Sequence, residues 1–266
     1  MSTQNLYQTQ DYFKQMHRAC GDHAISGILF GIASIFQKEI TKQTKAFPVL
    51  YIQGESATGK STFASAIQKI SNTDNYASFS FESNTKTSIN KVIETKTQQV
   101  LCIEEYRSNE RNANFIRNFW DRAPILQAIE PWRNEIKRQI EIKSTLIVVS
   151  REFPESENLR ERLIFEELNI QKSAQFDIFR NMIHDENLNI KNFLKFGSAR
   201  FNEDFKEEIE LVKMYFEANS ALHFISGRER LNITILLAVF KIFEGFDLFP
   251  FDYTDAVNHF IKISKR

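Results

Sequence analysis

Apolar residues along this chain fall into short runs of strand length and longer stretches of helical spacing. Residues 49–52, 100–103 and 146–149 are continuous apolar runs, which are typical of buried strands. Aromatic and small residues alternate over 76–81 and predict one more strand, whereas apolar residues over 63–70 recur at helical spacing. Strands that alternate with helices predict an α/β layered core.

The two ends of the chain show helical patterns instead. The first 46 residues have polar ends around an apolar run at 24–36, and apolar residues over 205–216 and 231–243 recur at helical spacing. The strand signal fades from about residue 171. We therefore expect an N-terminal helical segment over 1–46, an α/β core over 47–170 and a C-terminal helical subdomain over 171–266.

The apolar run at 24–36 raises the question of a membrane segment. It is shorter than the roughly 20 residues that a membrane-spanning helix needs, and it lies too far inside the chain for a secretory signal. Its Gly27-x-x-x-Gly31 spacing indicates close helix packing. We expect a buried helix and a protein without a membrane partner.

Charge and cysteine content narrow the classes of function. Lysine plus arginine and aspartate plus glutamate number 34 each, so a site for a polyanion has to be local. Cys20 and Cys102 have no further cysteine or histidine at ligand spacing, which argues against zinc fingers and disulfide scaffolds. A reducing, cytoplasmic location is expected.

Residues 54–61 match the P-loop pattern G-x-x-x-x-G-K-[ST] between a predicted strand and a predicted helix. Backbone N–H groups and the partial positive charge at the helix N-terminus bind phosphates in such loops. Lys60 is expected to contact the β- and γ-phosphates and Ser61 to offer its hydroxyl to Mg²⁺. Residues 47–170 are thus predicted to be a P-loop ATPase core that uses ATP and Mg²⁺. The expected nucleotide-binding residues are Gly54, Glu55, Ser56, Ala57, Thr58, Gly59, Lys60, Ser61 and Thr62.

Two carboxylates follow the predicted strand at 100–103, as in a Walker B element. Glu104 is expected to hold the Mg²⁺ shell and Glu105 to polarise the attacking water; the alternative is a strand that ends in solvated acids. Ser150 follows the next strand, at the edge where ligands of open α/β sheets bind. It is either a sensor of the γ-phosphate or a strand cap.

Three stretches together resemble the superfamily 3 helicase domain of phage- and plasmid-type primase-helicases, a branch of the AAA+ ATPases. The resemblance extends over about residues 20–170 and implies a P-loop NTPase core of the AAA+/superfamily 3 helicase type. It also implies an ATPase that unwinds or translocates DNA during replication of a phage, plasmid or other mobile element. The stretches are residues 47–50 before the P-loop, Ile103-Glu104-Glu105-Tyr106-Arg107, and 148–154 followed by 159–165.

The same resemblance implies a ring, usually a homo-hexamer, in which an arginine from one subunit reaches the ATP of its neighbour. Arg162 is the best match for that arginine, Arg160 is a second candidate, and either could be a plain surface charge. The chain departs from the family at one position, because many members have asparagine at or just after Ser150, where Arg151 follows here. This departure weakens the sensor role of Ser150.

Superfamily 3 proteins also have a β-hairpin between Walker B and the third strand that projects into the channel and contacts DNA. The matching interval here contains Trp132, Arg133, Lys137 and Arg138, which combine an aromatic ring for base stacking with cations for phosphate. An ordinary polar hairpin tip is the alternative. Single-stranded or forked DNA is the expected partner.

Two other classes of function stay open at this point. An AAA+ switch, such as a loader, a transposition regulator or a defence ATPase, uses the same core without unwinding DNA. A small-molecule kinase shares the P-loop but usually lacks a pair of glutamates after the Walker B strand. Primase chemistry is not expected here, because the chain has no zinc-binding cysteine set. A primase partner would be another domain or another protein.

Overall fold

The structure, a computed structural model, describes residues 3–71, 77–128, 137–170, 173–185 and 188–265. Strands and helices alternate in the middle of the chain, and both ends are helical, as the sequence predicts. The elements are α1 (Thr3–Cys20), α2 (His23–Ile35), α3 (Gln37–Thr44), β1 (Val49–Gln53), α4 (Lys60–Ser71), β2 (Ala77–Phe79), α5 (Lys86–Thr95), β3 (Val100–Ile103), α6 (Glu110–Asp121), β4 (Ile125–Ala128), β5 (Lys137–Ile140), β6 (Thr145–Ser150), α7 (Glu157–Arg160), β7 (Leu163–Glu167), α8 (Ala174–Ile183), α9 (Ile190–Gly197), α10 (Phe201–Ala218), α11 (Gly227–Glu244) and α12 (Tyr253–Ser264).

The central sheet has five parallel strands in the order β2-β3-β6-β1-β7. All residues of β3 and β6 are buried, because helices cover both faces of a parallel sheet. Strand β6 lies between β1 and β3, so Ile147 pairs with Leu50 on one side and with Cys102 on the other. The carboxyl ends of these three strands therefore lie side by side at one edge.

Helices from both ends of the chain cover one face of the sheet. A continuous buried cluster extends from Tyr12 in α1 to Phe260 in α12. The two glycines of α2 allow close packing: a Cβ at Gly27 would lie 2.7 Å from Met16 Cε, and one at Gly31 would lie 2.9 Å from Ile70 Cδ1. This confirms that the apolar run at 24–36 is a packed, buried helix.

A buried polar network joins this helical layer to the sheet. The Glu166 carboxylate in β7 is fully buried; His23 Nδ1 of α2 lies 2.6 Å from its Oε2, and His259 Nε2 of α12 lies 2.7 Å from its Oε1. Ser26 Oγ lies 3.0 Å from the same His259 nitrogen. The N-terminal and C-terminal helical parts therefore form one layer against the edge strand. The division of the chain into three units at residues 46 and 170 stays a prediction.

Helices α5 and α6 cover the opposite face of the sheet, around a second buried cluster that includes Ile93, Ile116 and Phe119. Strands β4 and β5 form a separate antiparallel pair with Ile125 opposite Ile140. This antiparallel pair lies between β3 and β6 in the chain, in the interval where a hairpin is predicted. Its connection, residues 129–136, lies outside the described residues.

No helix among the described residues is long and apolar enough to cross a membrane. Cys20 and Cys102 are buried free thiols. Burial raises the pKa of Cys20 to about 12, and burial and the charge of Glu104 raise the pKa of Cys102 well above its ordinary value. Neither thiol is therefore poised as a thiolate at neutral pH.

Candidate nucleotide-binding site

The P-loop connects β1 to α4, as its sequence pattern requires. Its first glycine lies between the ends of two neighbouring strands: Gly54 N donates to Ser150 O over 3.2 Å, and a Cβ on Gly54 would overlap the carbonyl oxygen of Leu168. Ala57 and Gly59 have positive φ values of 65° and 85°. This backbone shape creates a concave loop in front of the helix N-terminus, where N–H groups favour an anion.

The side chain of Lys60 folds back over this loop. Its Nζ donates to the carbonyl oxygen of Gly54 over 2.6 Å and also contacts the carbonyl oxygen of Glu55. Burial lowers the pKa of Lys60, the positive charge of Arg151 lowers it further, and Glu55 opposes both effects. Two cations thus share one small region, which favours an anionic ligand that would contact both of them.

The two predicted acids follow β3 directly. Glu104 N donates to Phe79 O over 2.9 Å, which holds the backbone after β3 against β2. Glu105 has a φ of 54°, a conformation that costs about 1–2 kcal/mol for a residue with a Cβ. Strained backbone of this kind concentrates at functional sites. It turns the Glu105 side chain to the surface while Glu104 stays half-buried.

Ser150 lies at the end of β6, between the P-loop and the acids. It is 2% exposed; its hydroxyl donates to Tyr106 O over 2.9 Å and accepts from Glu152 N at 2.9 Å. The hydroxyl therefore ties β6 to the segment after the acid pair. This geometry favours the strand-cap interpretation for the resting site, and a sensor role requires the Tyr106 bond to break.

These residues converge on one cavity of about 500 Å³ at the carboxyl edge of the sheet. Lys60, Ser61, Glu104, Glu105 and Ser150 all line it. Ser61 and Glu104 supply a hydroxyl and a carboxylate, which are oxygen donors that Mg²⁺ accepts. Positive and negative side chains therefore face each other across a space that suits a triphosphate and its cation.

Four charged residues that were not predicted as site residues also line this cavity: Glu82, Arg107, Arg151 and Glu152. Arg107 Nε lies 2.6 Å from Glu82 Oε1, and Glu152 Oε2 accepts from Ser108 N at 2.6 Å. Arg151 is the exposed cation beside Lys60. The sequence carries a signal for Arg151, because it follows the strand-end serine, but none for Glu82.

The two candidate arginines differ in their surroundings. Arg162 is 6% exposed, donates to Asn158 O over 2.8 Å, and contacts Asp121 at 3.3 Å. Its guanidinium also lies 5.2 Å from the Trp120 ring centroid. In this arrangement the Arg162 side chain is buried against other residues of the same chain. Arg160 is exposed, with its guanidinium 5.3 Å from the Phe153 ring centroid.

The predicted DNA-contacting residues are only partly described. Trp132 and Arg133 lie outside the described residues. Lys137 begins β5. Arg138 pairs across the hairpin with Gln127, and its guanidinium forms an ion pair with Glu94 on α5.

Comparisons with known proteins support the fold. No protein-family model matches the chain, and no curated protein matches it. A solved structure titled "SCCmec type IV Cch - active helicase" has a TM-score of 0.70 at 14% identity, over 96% of this chain and 50% of that one. The structure of NtrX from Brucella abortus in complex with ADP has a TM-score of 0.36 at 13% identity, over 79% of this chain and 48% of that one. The chain spans about half the length of these two structures. It has a P-loop helicase-like fold.

Proposed function

We propose that this chain is an ATP-hydrolysing, ring-forming DNA helicase or translocase of the superfamily 3 type. The observation that carries the proposal is the convergence of the P-loop, Glu104 and Glu105 on one cavity. The neighbour with a TM-score of 0.70 is described as an active helicase, which is consistent with the proposal. Action in the replication of a phage, plasmid or other mobile element is part of the same proposal.

The residues act on the nucleotide from two sides. The P-loop backbone and Lys60 hold the phosphates, and ATP would replace the contacts that Lys60 now makes with the Gly54 and Glu55 carbonyl oxygens. Glu105, across the cavity, accepts a proton from the water that attacks the γ-phosphorus. The strained backbone at Glu105 orients its side chain before ATP binds, so little reorganisation is needed during the reaction.

Ser61 and Glu104 would hold Mg²⁺ together with phosphate oxygens and water. The donor set fits, because a hydroxyl and a carboxylate line the cavity beside the loop and hard cations prefer oxygen ligands. When bound, Mg²⁺ neutralises charge on the phosphates. Arg151, next to Lys60, adds a positive charge from the protein.

A homo-hexameric ring requires a residue that acts across the interface. The exposure of Arg160 supports it over Arg162 for this role, because Arg162 is buried against Trp120 and Asp121. An arginine that reaches the neighbouring γ-phosphate would stabilise the charge that develops there. Arg162 instead positions the segment between α7 and β7.

The β4–β5 hairpin is the proposed contact with single-stranded or forked DNA. Arg138 meets phosphate only after it leaves Glu94, and this exposed ion pair is worth at most about 1 kcal/mol. Trp132, Arg133 and Lys137 complete the proposed contact by their positions in the sequence. A primase domain or protein is a further proposed partner.

Steady-state ATP hydrolysis with and without single-stranded DNA, at low and moderate salt, tests this function. Hydrolysis that DNA stimulates, and that Lys60→Ala abolishes, is expected. Strand displacement on a forked duplex then distinguishes a helicase from a translocase. Hydrolysis that is indifferent to DNA at every salt concentration would refute the helicase proposal. That result would favour an AAA+ switch that acts on a protein partner.

A further inference from the structure

A second cavity of about 400 Å³ lies away from the P-loop, where α5, α6 and β4 meet. Its lining includes Phe81, Phe115 and Leu126, together with the cations Lys86 and Arg111 and no carboxylate. Acidic and basic residues are equal in number over the whole chain. The cavity is therefore a local concentration of positive charge on a neutral subunit, of the kind that attracts a polyanion.

Asn90 supplies an unused hydrogen-bond donor in this cavity. The residue is 2% exposed, and its Nδ2 has no acceptor within the described residues. A buried donor without an acceptor is costly and calls for water or a ligand to satisfy it. The neighbouring amide of Asn114 is already engaged by Glu110 and Arg117. The unpaired amide of Asn90 thus favours a ligand with an acceptor atom.

Aromatic rings and exposed cations lie around the same space. The rings of Phe81 and Phe115 form an edge-to-face pair with centroids 5.1 Å apart, and Leu126 is 47% exposed beside them. Lys86 and Arg111 form no ion pair with any described residue. Aromatic walls, an amide donor and free cations match a base, its acceptor atoms and the adjacent phosphates of a single strand.

We propose that this cavity binds one unstacked base of single-stranded DNA. Asn90 donates to a base acceptor, Phe81 and Phe115 contact the base, and Lys86 and Arg111 contact flanking phosphates. Leu126 belongs to β4, so a bound base would lie beside the hairpin that we propose to contact the strand. The inference rests on the proposed function for the identity of the polymer, but the cavity itself is independent of ATP hydrolysis.

Fluorescence anisotropy of the full chain with labelled oligothymidine, and with an oligonucleotide of the same length and backbone that has abasic sites, tests the proposal. Asn90→Leu keeps the branching and the number of heavy atoms of the side chain and removes the unpaired donor, so its melting temperature should stay equal or rise. Its affinity for oligothymidine should fall by about tenfold, because one hydrogen bond to the base is lost, while its affinity for abasic DNA should not change. Lys86→Gln should weaken both complexes equally and reduce the salt slope by about 0.7. Lys213→Gln, on α10, is the matched surface control and should change neither.

A second variant keeps the test decisive if Asn90→Leu folds poorly. Leu126→Glu changes an exposed position, places a carboxylate at the rim, and should lower oligothymidine affinity by a similar factor. Wild-type protein that binds both oligonucleotides equally well would overturn the base pocket and leave the proposed helicase function intact. Wild-type protein that binds neither oligonucleotide would refute both proposals. Unchanged oligothymidine affinity in both Asn90→Leu and Leu126→Glu would also overturn the pocket.

Discussion

Replacing Glu166 by glutamine should remove a large, pH-dependent contribution to stability. The carboxylate is fully buried between His23 of α2 and His259 of α12. Burial by itself raises the pKa of Glu166, but hydrogen bonds from the two histidines and their positive charge outweigh it and hold the pKa at about 2. The ionised form is thus the one that the fold stabilises.

The size of the effect follows from the change in pKa on folding. A fall from 4.5 to about 2, at about 1.4 kcal/mol per unit, corresponds to about 3 kcal/mol of stability. Because the folded pKa is depressed, this contribution is complete above pH 4.5 and is lost as the pH falls toward 2. At pH 3 about 2 kcal/mol of it has been lost.

Urea unfolding between pH 7 and pH 3 measures this contribution. Glu166→Gln should be about 3 kcal/mol less stable than wild type at pH 7, and the difference should shrink by about 2 kcal/mol by pH 3. The control is Glu210→Gln, which removes an exposed partner of Lys213 and should follow the wild-type curve closely. A Glu166→Gln curve that runs parallel to wild type at all pH values would show that the carboxylate does not stabilise the fold in its ionised form.

Three further outcomes test other parts of the structure. Gly54→Ala would force a methyl group onto the Leu168 carbonyl, so thermal melting should show a loss of about 1–3 kcal/mol of stability, and ATP binding should weaken. Gly227→Ala is the control, because its new Cβ would meet nothing within 4 Å. Equal melting temperatures of the two variants would contradict the clash. Lys45→Gly should raise the free energy of unfolding by about 0.5–1 kcal/mol, because Lys45 ends α3 with a φ of 60° that glycine adopts without strain. A lower melting temperature for this variant would contradict the prediction. Glu105→Gln should bind a fluorescent ATP analogue as wild type does but hydrolyse ATP at least about 100-fold more slowly, and wild-type turnover would remove Glu105 from the catalytic role.

The P-loop and the strands were accessible from the sequence because their signals are local. A loop of fixed glycine and lysine spacing has one backbone shape that approaches phosphate, so residues 54–61 predict their own conformation. The apolar runs that became β1, β3 and β6 are short and bounded, and the Gly27 and Gly31 spacing predicts close packing. Apolar periodicity also predicted helices over 205–216 and 231–243, which lie within α10 and α11.

The site's finer arrangement depends on contacts between residues far apart in the chain. Strand β6 between β1 and β3 brings Ser150 beside the acids, where its hydroxyl is bound to Tyr106 O. Arg162 matches a family pattern, yet its side chain is buried against Trp120, which follows from packing between α6 and the segment before β7. The local sequence predicts neither the hydrogen bond from Ser150 to Tyr106 nor the burial of Arg162.

The sequence by itself was sufficient to predict the fold class, the loop between β1 and α4 and the position of two acids directly after β3, because short-range backbone chemistry and periodicity encode them. The position of Glu166 between two histidines, the exposure of Arg160 rather than Arg162, and the cavity around Asn90 depended on the tertiary structure. Each of these requires several elements to meet at once. These arrangements are stabilised by burial and hydrogen bonding between segments that are distant in the sequence. The pattern of residues along the chain does not show which segments come into contact.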